Sequence, residues 1–443
     1  LSSKKSPEVD AVTAHRKKMA QSETIHCELM VIGAGMAGMA AALFAARHHV
    51  STVQVGLSAE IIYASGLIDL LGVHPIEKGR RWRNPWAAIA AVSKSCPNHP
   101  FARLPRSDIR AALDEFIDFL ATAGLPYRCY KDRNADVVTP VGSIKRTYAV
   151  PQSMWRGVLA WHRKCPCLIV DFHGLKGFSA RQIQSVLKDR WPALRAVRLA
   201  FPDLPAELYP ERMAHALELS RTREQLAAAV RPLIKDAKML GLPAICGTYQ
   251  TSSVVADLQK KIGIPVFEIP TLPPAISGLR LKNALEQSLP SLGVTTLYNK
   301  KVIRVQIDGR GHLIFDVGAR EKEITVQAQA AILASGRFIG QGLTADRKRI
   351  RETLFDLTIS QPSSRRHWHR EHFLDLKGHA INRAGLEIDE RFRPLTADGR
   401  PAFENLYAAG SILAHCDWMR MKCGSGLAIA TAYGAVKAYL KNR

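Results

Sequence analysis

The residues with the most chemical meaning open the chain's first regular unit. In "MVIGAGMAGMAAALFAARHHVSTVQVGL", Gly33, Gly35 and Gly38 stand between an apolar strand and an Ala-rich helix. Glycines at that spacing suit a phosphate. The first permits a tight turn, the second lets backbone approach the anion, and the third lets helix and strand pack closely. The helix start adds unpaired N–H groups and the positive end of a dipole. A dinucleotide site usually also has an acid at the end of the second strand, which binds the adenosine ribose. Here Gly56 stands at or near that place, and Glu60 comes several residues later. A phosphate cradle without an adenosine anchor predicts FMN, with FAD held without that contact as the alternative.

Two later strands are expected to return to this turn. "AAILASGRF" ends in Ser335–Gly336, and "NLYAAGSIL" in Gly410–Ser411. Ser411 occupies the place where many large flavoproteins carry an Asp for the ribityl chain, and its hydroxyl can still hydrogen-bond. "CGSGLAIATAYG" puts Gly424, Ser425 and Gly426 at a helix start, which can stabilise negative charge on a reduced flavin. The expected cofactor-binding set is Gly33, Gly35, Met36, Ala37, Gly38, Ser65, Gly66, Ser335, Gly336, Gly410, Ser411, Gly424, Ser425 and Gly426. Arg280, Arg347 and Arg351 can fork onto a phosphate or carboxylate, or form structural ion pairs. Arg280 and Arg351 are the expected catalytic residues. Asp69 is a candidate for positioning the flavin or for capping a helix. His369 and His372 could share a helical face in "HWHREH", but without a carboxylate or cysteine pattern no metal site is expected. Cys416 and Cys423 flank "DWMRMK" and could approach a flavin or a partner's cluster, though the spacing is not that of an iron–sulfur centre.

These residues need a large scaffold. The chain has 443 residues, 47% of them hydrophobic, enough for two or three packed modules. No apolar run reaches the roughly 18 residues a spanning helix needs. The net charge of +23 fits an anionic ligand, an acidic partner, an anionic membrane face or nucleic acid. No RNA-binding module is recognisable, so nucleic acid is not an expected partner. The eight dispersed cysteines suggest a reducing compartment. The expected fold class is α/β: a Rossmann-like flavin-binding domain with an inserted α/β domain. Residues 1–26 form a flexible basic tail and 27–160 the first part of the flavin-binding domain. Residues 161–290 form the insertion and 291–443 the second part. Ser107 is placed to cap a helix whose apolar face is Ile109, Leu113, Phe116 and Leu120. A helical region is expected from about Glu211 to Leu240.

From Cys27 to Arg443 the sequence resembles the B-subunit family of anaerobic glycerol-3-phosphate dehydrogenase. The most specific pieces are "ASGLIDLLG", "VTPVGSIKRTY", "IPTLPPAISGLRLKNAL", "LASGRFIGQGLTADRKRIRE" and "NLYAAGSIL". The resemblance implies an FMN-binding electron-transfer subunit of a respiratory complex. It implies a FAD-containing catalytic subunit and an iron–sulfur subunit as partners. Together they would oxidise glycerol 3-phosphate, a small anionic substrate, and reduce quinone. It further implies a cytoplasmic location, peripheral on the inner face of the cell membrane through those partners. A free-standing flavin oxidoreductase, a flavin-dependent RNA-binding protein and a structural subunit with an empty flavin site are the alternatives.

Overall fold

The computed structural model describes residues 24–203 and 207–443. Residues 1–23 of the expected tail lie outside them. The first strand, Thr24–Ile32, begins within the stretch assigned to that tail. From Leu29 to Ile32 it is fully buried, as an unbroken apolar run requires when both sheet faces are covered. It lies between two parallel neighbours, Thr52–Gly56 and Ile324–Leu333. The sheet runs Thr295–Tyr298, Thr52–Gly56, Thr24–Ile32, Ile324–Leu333, Leu313–Gly318, Lys301–Ile307. The strand Ile324–Leu333 is forked. Its first half pairs antiparallel with Leu313–Gly318, and its last three residues pair parallel with Leu406–Ala408. The fork delivers the ends of three strands, at Ile32, Leu333 and Ala408, to one edge.

The helix Met36–Arg47 packs against the closing helix Gly424–Asn442. Ala40, Ala41, Ala42 and Ala45 meet a partner equally rich in buried alanine, and Phe44 sits edge-on to Tyr433 at 5.2 Å. Small side chains permit this close approach of two backbones at interior packing density.

A second sheet has four parallel strands in the order Val266–Ile269, Met239–Pro243, Cys167–Phe172, Leu194–Leu199. It has its own apolar core. The helix Gln152–Arg163 packs on this unit, with Gly157 giving room for the Phe267 ring. The helix Ile276–Ser291 has already returned to the first unit. Leu281, Leu285 and Leu289 join the large core.

Two local expectations are corrected. The helix Arg106–Thr122 starts after Pro105 with no side-chain cap, and Ser107 lies inside its first turn. Proline's fixed φ suits the entry to a helix, so the start falls earlier than the hydroxyl suggested. Ile109, Leu113, Phe116 and Leu120 do form its buried face. The helical region from Glu211 breaks into Pro210–Ala216 and Ser220–Val230, and Met239–Leu240 already belong to a strand. A short apolar run carries no period to distinguish the two.

Candidate functional site

The glycine turn is built by close backbone contact. Gly33 has φ +126°, and a Cβ there would lie 2.2 Å from the Ala334 carbonyl oxygen. Its N–H donates to the Val55 carbonyl at 2.7 Å, and Gln54 Nε2 donates to the Gly33 carbonyl at 3.2 Å. A Cβ on Gly38 would fall 1.9 Å from that same carbonyl. The turn is thus fixed between two strand ends. Gly35 caps the helix without a side-chain hydrogen bond, and the first turn contains no acid. Its first N–H groups have no intrahelical acceptor and keep their attraction for an anion.

Gly56 occupies the place of the missing acid. A Cβ there would lie 2.5 Å from the Ala34 backbone nitrogen, so no side chain fits, carboxylate or other. Beyond it, Asn299 N–H donates to the Gly56 carbonyl at 3.1 Å. This brings Lys300 and Lys301 to the cleft wall, with Arg320 nearby. Lys300 is paired with Glu323, so Lys301 and Arg320 supply the cationic character of this end of the cleft.

The cleft encloses about 1000 Å³. Its inner end is made by Ser335, Ser411, Gly424 and Ser425 with the segment Ser65–Asp69. Asp69 N–H donates to Ser425 Oγ at 2.7 Å, and the Gly426 N–H donates to the Asp69 carbonyl at 2.7 Å. Residues 67–69 are thereby tied to the start of the closing helix. The Asp69 side chain turns to Lys145, with Oδ2 to Nζ at 2.8 Å. Lys145 Nζ also lies 3.4 Å from Ser65 Oγ. Lys422 joins the same wall in the left-handed conformation, φ +54°. Burial, and then the charge of Lys145, lower its pKa. Lys145 pairs with the Asp69 carboxylate, and Lys422 adds a second cation to the same wall. Asp69 Oδ1 and Ser335 Oγ are buried without a hydrogen-bond partner. Buried polar atoms left unpaired in a cleft are the groups a ligand can satisfy.

Ten expected cofactor residues line the cleft: Gly33, Gly35, Met36, Ala37, Ser65, Ser335, Gly336, Ser411, Gly424 and Ser425. Gly38, Gly66, Gly410 and Gly426 do not, and that expectation is corrected. Each permits packing one layer behind. A Cβ at Gly66 would meet Ser277 at 2.5 Å, at Gly410 Ala37 at 2.5 Å, and at Gly426 the Asp69 carbonyl at 2.6 Å. Arg280 is also corrected. It is buried away from the cleft, forked onto Glu268 at 2.6 and 2.9 Å, with Nε donating to the Gly247 carbonyl. All three guanidinium nitrogens donate internally and the side chain is sealed, so it does not reach a substrate in the cleft. Arg351 sits on an exposed hairpin beside Asp346 at 3.4 Å and lines no part of the cleft. Arg347 lies in the same hairpin. His369 and His372 share no helix. The short turn Arg365–His367 precedes them, and His369 packs on His379. Among the described residues, no group of three or more His, Cys, Asp or Glu is placed to hold a metal ion.

Sequence reading missed Lys145, Lys300, Lys301, Arg320, Trp418 and Lys422. Lys145 lies in "VGSIKRTY", a segment already notable as a block. Trp418 and Lys422 lie in "DWMRMK", notable in the sequence only for its flanking cysteines, and Lys300, Lys301 and Arg320 carry nothing to separate them from the surface of a basic chain.

These features suit a flavin: an uncapped helix start behind a glycine turn, an unpaired buried serine, and cations at a second helix start. Comparison with known proteins agrees. Residues 28–427 match the family model described as an FAD binding domain. The chain is 28% identical over 427 residues to the B subunit of anaerobic glycerol-3-phosphate dehydrogenase from Vibrio vulnificus (strain YJ016), covering 93% of this chain and 96% of that one. The corresponding Yersinia pseudotuberculosis protein is 28% identical, covering 91% and 96%. A probable B subunit from Halobacterium salinarum is 31% identical, covering 93% and 97%. The chain belongs to the FAD binding domain family and to the family of anaerobic glycerol-3-phosphate dehydrogenase B subunits.

Proposed function

We propose that this chain is the FMN-binding electron-transfer subunit of a glycerol-3-phosphate dehydrogenase complex. Its partners are a FAD-containing catalytic subunit and an iron–sulfur subunit, and electrons pass onward to quinone. The complex sits peripherally on the inner face of the cell membrane through those partners. Among the described residues no helix is long and apolar enough to cross a membrane, which agrees with attachment by a partner.

The observation that carries the choice of FMN is Gly56, where packing against Ala34 leaves no room for a ribose-binding acid. When bound, the flavin supplies acceptance of an electron pair and release of single electrons. The chain's own groups position and polarise. The N–H groups opening Met36–Arg47 hold the phosphate. Ser335 and Ser411 supply hydroxyls to the polar chain, and Ser335 has no competing partner. Lys422 and the start of Gly424–Asn442 keep positive potential on the inner wall. Asp69 holds Lys145 in place and leaves the wall with net positive charge, suited to a small anionic substrate or to negative charge on the ring.

FAD is the second reading. The cationic extension at Lys301 and Arg320 could take a second phosphate instead of a ribose. Native purification with the partner subunits, followed by acid release and chromatography of the flavin, separates the two. FMN and FAD in equal amounts are expected, one from this chain and one from the catalytic partner; FAD alone at two per complex would select the second reading, and FAD alone at one per complex would end both.

A further inference from the structure

Two of the eight cysteines are placed unlike the rest. Cys416 and Cys423 are fully buried with their Sγ atoms 3.6 Å apart. They bracket the short turn that carries Trp418, Met419 and Lys422 to the cleft wall, and Cys423 directly precedes Gly424 on that wall. His99 is also buried, and its Nδ1 accepts from the Phe101 N–H at 3.1 Å. A neutral imidazole with Nδ1 as acceptor carries its proton on Nε2. That Nε2 has no acceptor in ordinary hydrogen-bond geometry, yet it is near enough to favour negative charge on Cys416. The Arg337 guanidinium donates to the Cys416 carbonyl at 2.9 Å.

Burial raises the Cys416 thiol pKa. The Cys423 S–H, the His99 ring and the Arg337 charge outweigh that and hold it below the ordinary thiol value. Cys423 is pushed well above that value by burial and by its neighbour. Cys27, Cys167 and Cys246 are also buried, and for all three burial is the largest influence and pushes the pKa up. The pair therefore sets two buried sulfurs in contact, one biased toward the thiolate and the other away from it, the arrangement of a reactive cysteine beside a resolving one.

We propose that Cys416 and Cys423 form a redox site, at which a hydroperoxide closes the pair to an intramolecular disulfide and shifts the turn between them. The Cys416 thiolate attacks one peroxide oxygen. The O–O bond breaks, the other oxygen leaves as hydroxide, and Cys416 becomes a sulfenic acid. The Cys423 sulfur then attacks the Cys416 sulfur. An S–S bond forms, the S–O bond breaks, and the Cys423 proton leaves with the departing hydroxide as water. In total, two thiols and one hydrogen peroxide give one disulfide and two waters, and the sulfurs supply the two electrons that reduce the peroxide. Closure brings the sulfurs from 3.6 Å to about 2.05 Å, and the turn carrying Trp418 and Lys422 must follow. The enclosure of both sulfurs selects a small neutral oxidant over a bulky disulfide.

The test uses the full chain, titrated with hydrogen peroxide, quenched, denatured, alkylated and mapped by mass spectrometry. The segment linking Cys416 and Cys423 is expected to lose two hydrogens, and alkylatable thiols to fall from eight to six. Cys416 should react about tenfold or more faster than Cys27, Cys167 or Cys246. Tryptophan fluorescence should change with disulfide formation and recover on adding dithiothreitol. In Cys423→Ser, Cys416 should proceed to sulfinic acid for want of a resolving thiol. The proposal is overturned if both cysteines remain alkylatable at peroxide levels that oxidise the exposed Cys96. A disulfide joining either cysteine to any other residue would overturn it as well. The wild-type measurement decides even if a variant fails to fold.

Discussion

Two cation–carboxylate clusters in this molecule are built to opposite rules. Where the smaller sheet meets the helix Ile276–Ser291, Glu268 and Arg280 are sealed, with side chains 0% and 2% exposed. Glu268 Oε1 also accepts from the Cys246 N–H at 2.7 Å, and Arg280 Nε is taken by Gly247. Burial raises the Glu268 pKa, but the Arg280 charge and hydrogen bonds overcome it and leave it below the ordinary value. In the cleft, Asp69 and Lys145 are 14% and 25% exposed, Asp69 Oδ1 is unpaired, and Lys422 adds a second cation. The closed cluster meets its own hydrogen-bonding demand and contributes to a fold. The open one leaves demand unmet, and that remainder is its capacity to bind.

The comparison can be broken at either end. The largest effect should come from Arg280→Met, which strands a buried carboxylate and should cost about 3–5 kcal/mol in urea unfolding. Adding Glu268→Leu should restore most of it, because removing both partners removes the desolvation problem. Failure of that restoration would mean the pair does more than hold the fold. Next, Gly33→Val forces a side chain onto the Ala334 carbonyl at a positive φ. Flavin content of the purified chain should fall to near zero, with about 1–3 kcal/mol of strain in thermal unfolding. Lys145→Met should change stability by less than about 1 kcal/mol, as a partly exposed pair does. It should nevertheless weaken binding of a small anion about tenfold or more, read by calorimetry. If its stability loss matched that of Arg280→Met, the distinction between the clusters would disappear. A smaller effect concerns pH. Lys422 gives up its proton at lower pH than an ordinary lysine, because of burial and Lys145. Anion affinity should therefore fall as pH rises, and fall earlier in the native chain than in Lys422→Arg. Arg351→Ala should do least, within about 0.5 kcal/mol for a surface change, with flavin content and turnover unaltered.

Much of the scaffold was legible beforehand. The glycine turn, the strand ends at Ser335 and Ser411, and the helix start at Gly424 each carry a local pattern of period and punctuation. The structural role of Arg280 is not legible in sequence, because a guanidinium's chemistry is the same whether its partner is a substrate or Glu268. Gly66, Gly410 and Gly426 are ambiguous for a related reason: a glycine admits close approach without saying whether a ligand or another part of the chain does the approaching. Lys145 and Lys422 were passed over because they are 277 residues apart, and nothing local connects them.

The sequence alone determined that a glycine turn opens the first helix, a geometry suited to a phosphate, and that the second strand ends without an acid. Those are properties of adjacent residues and follow from φ, Cβ volume and helix termini. Only the tertiary structure decided that Gly56 cannot carry a side chain, that Asp69 is shared between Lys145 and the closing helix, and that Cys416 meets Cys423 beside His99. The first two depend on contacts between separate segments, and the third on the turn between the cysteines and on His99 lying beside it, distances that no local pattern encodes.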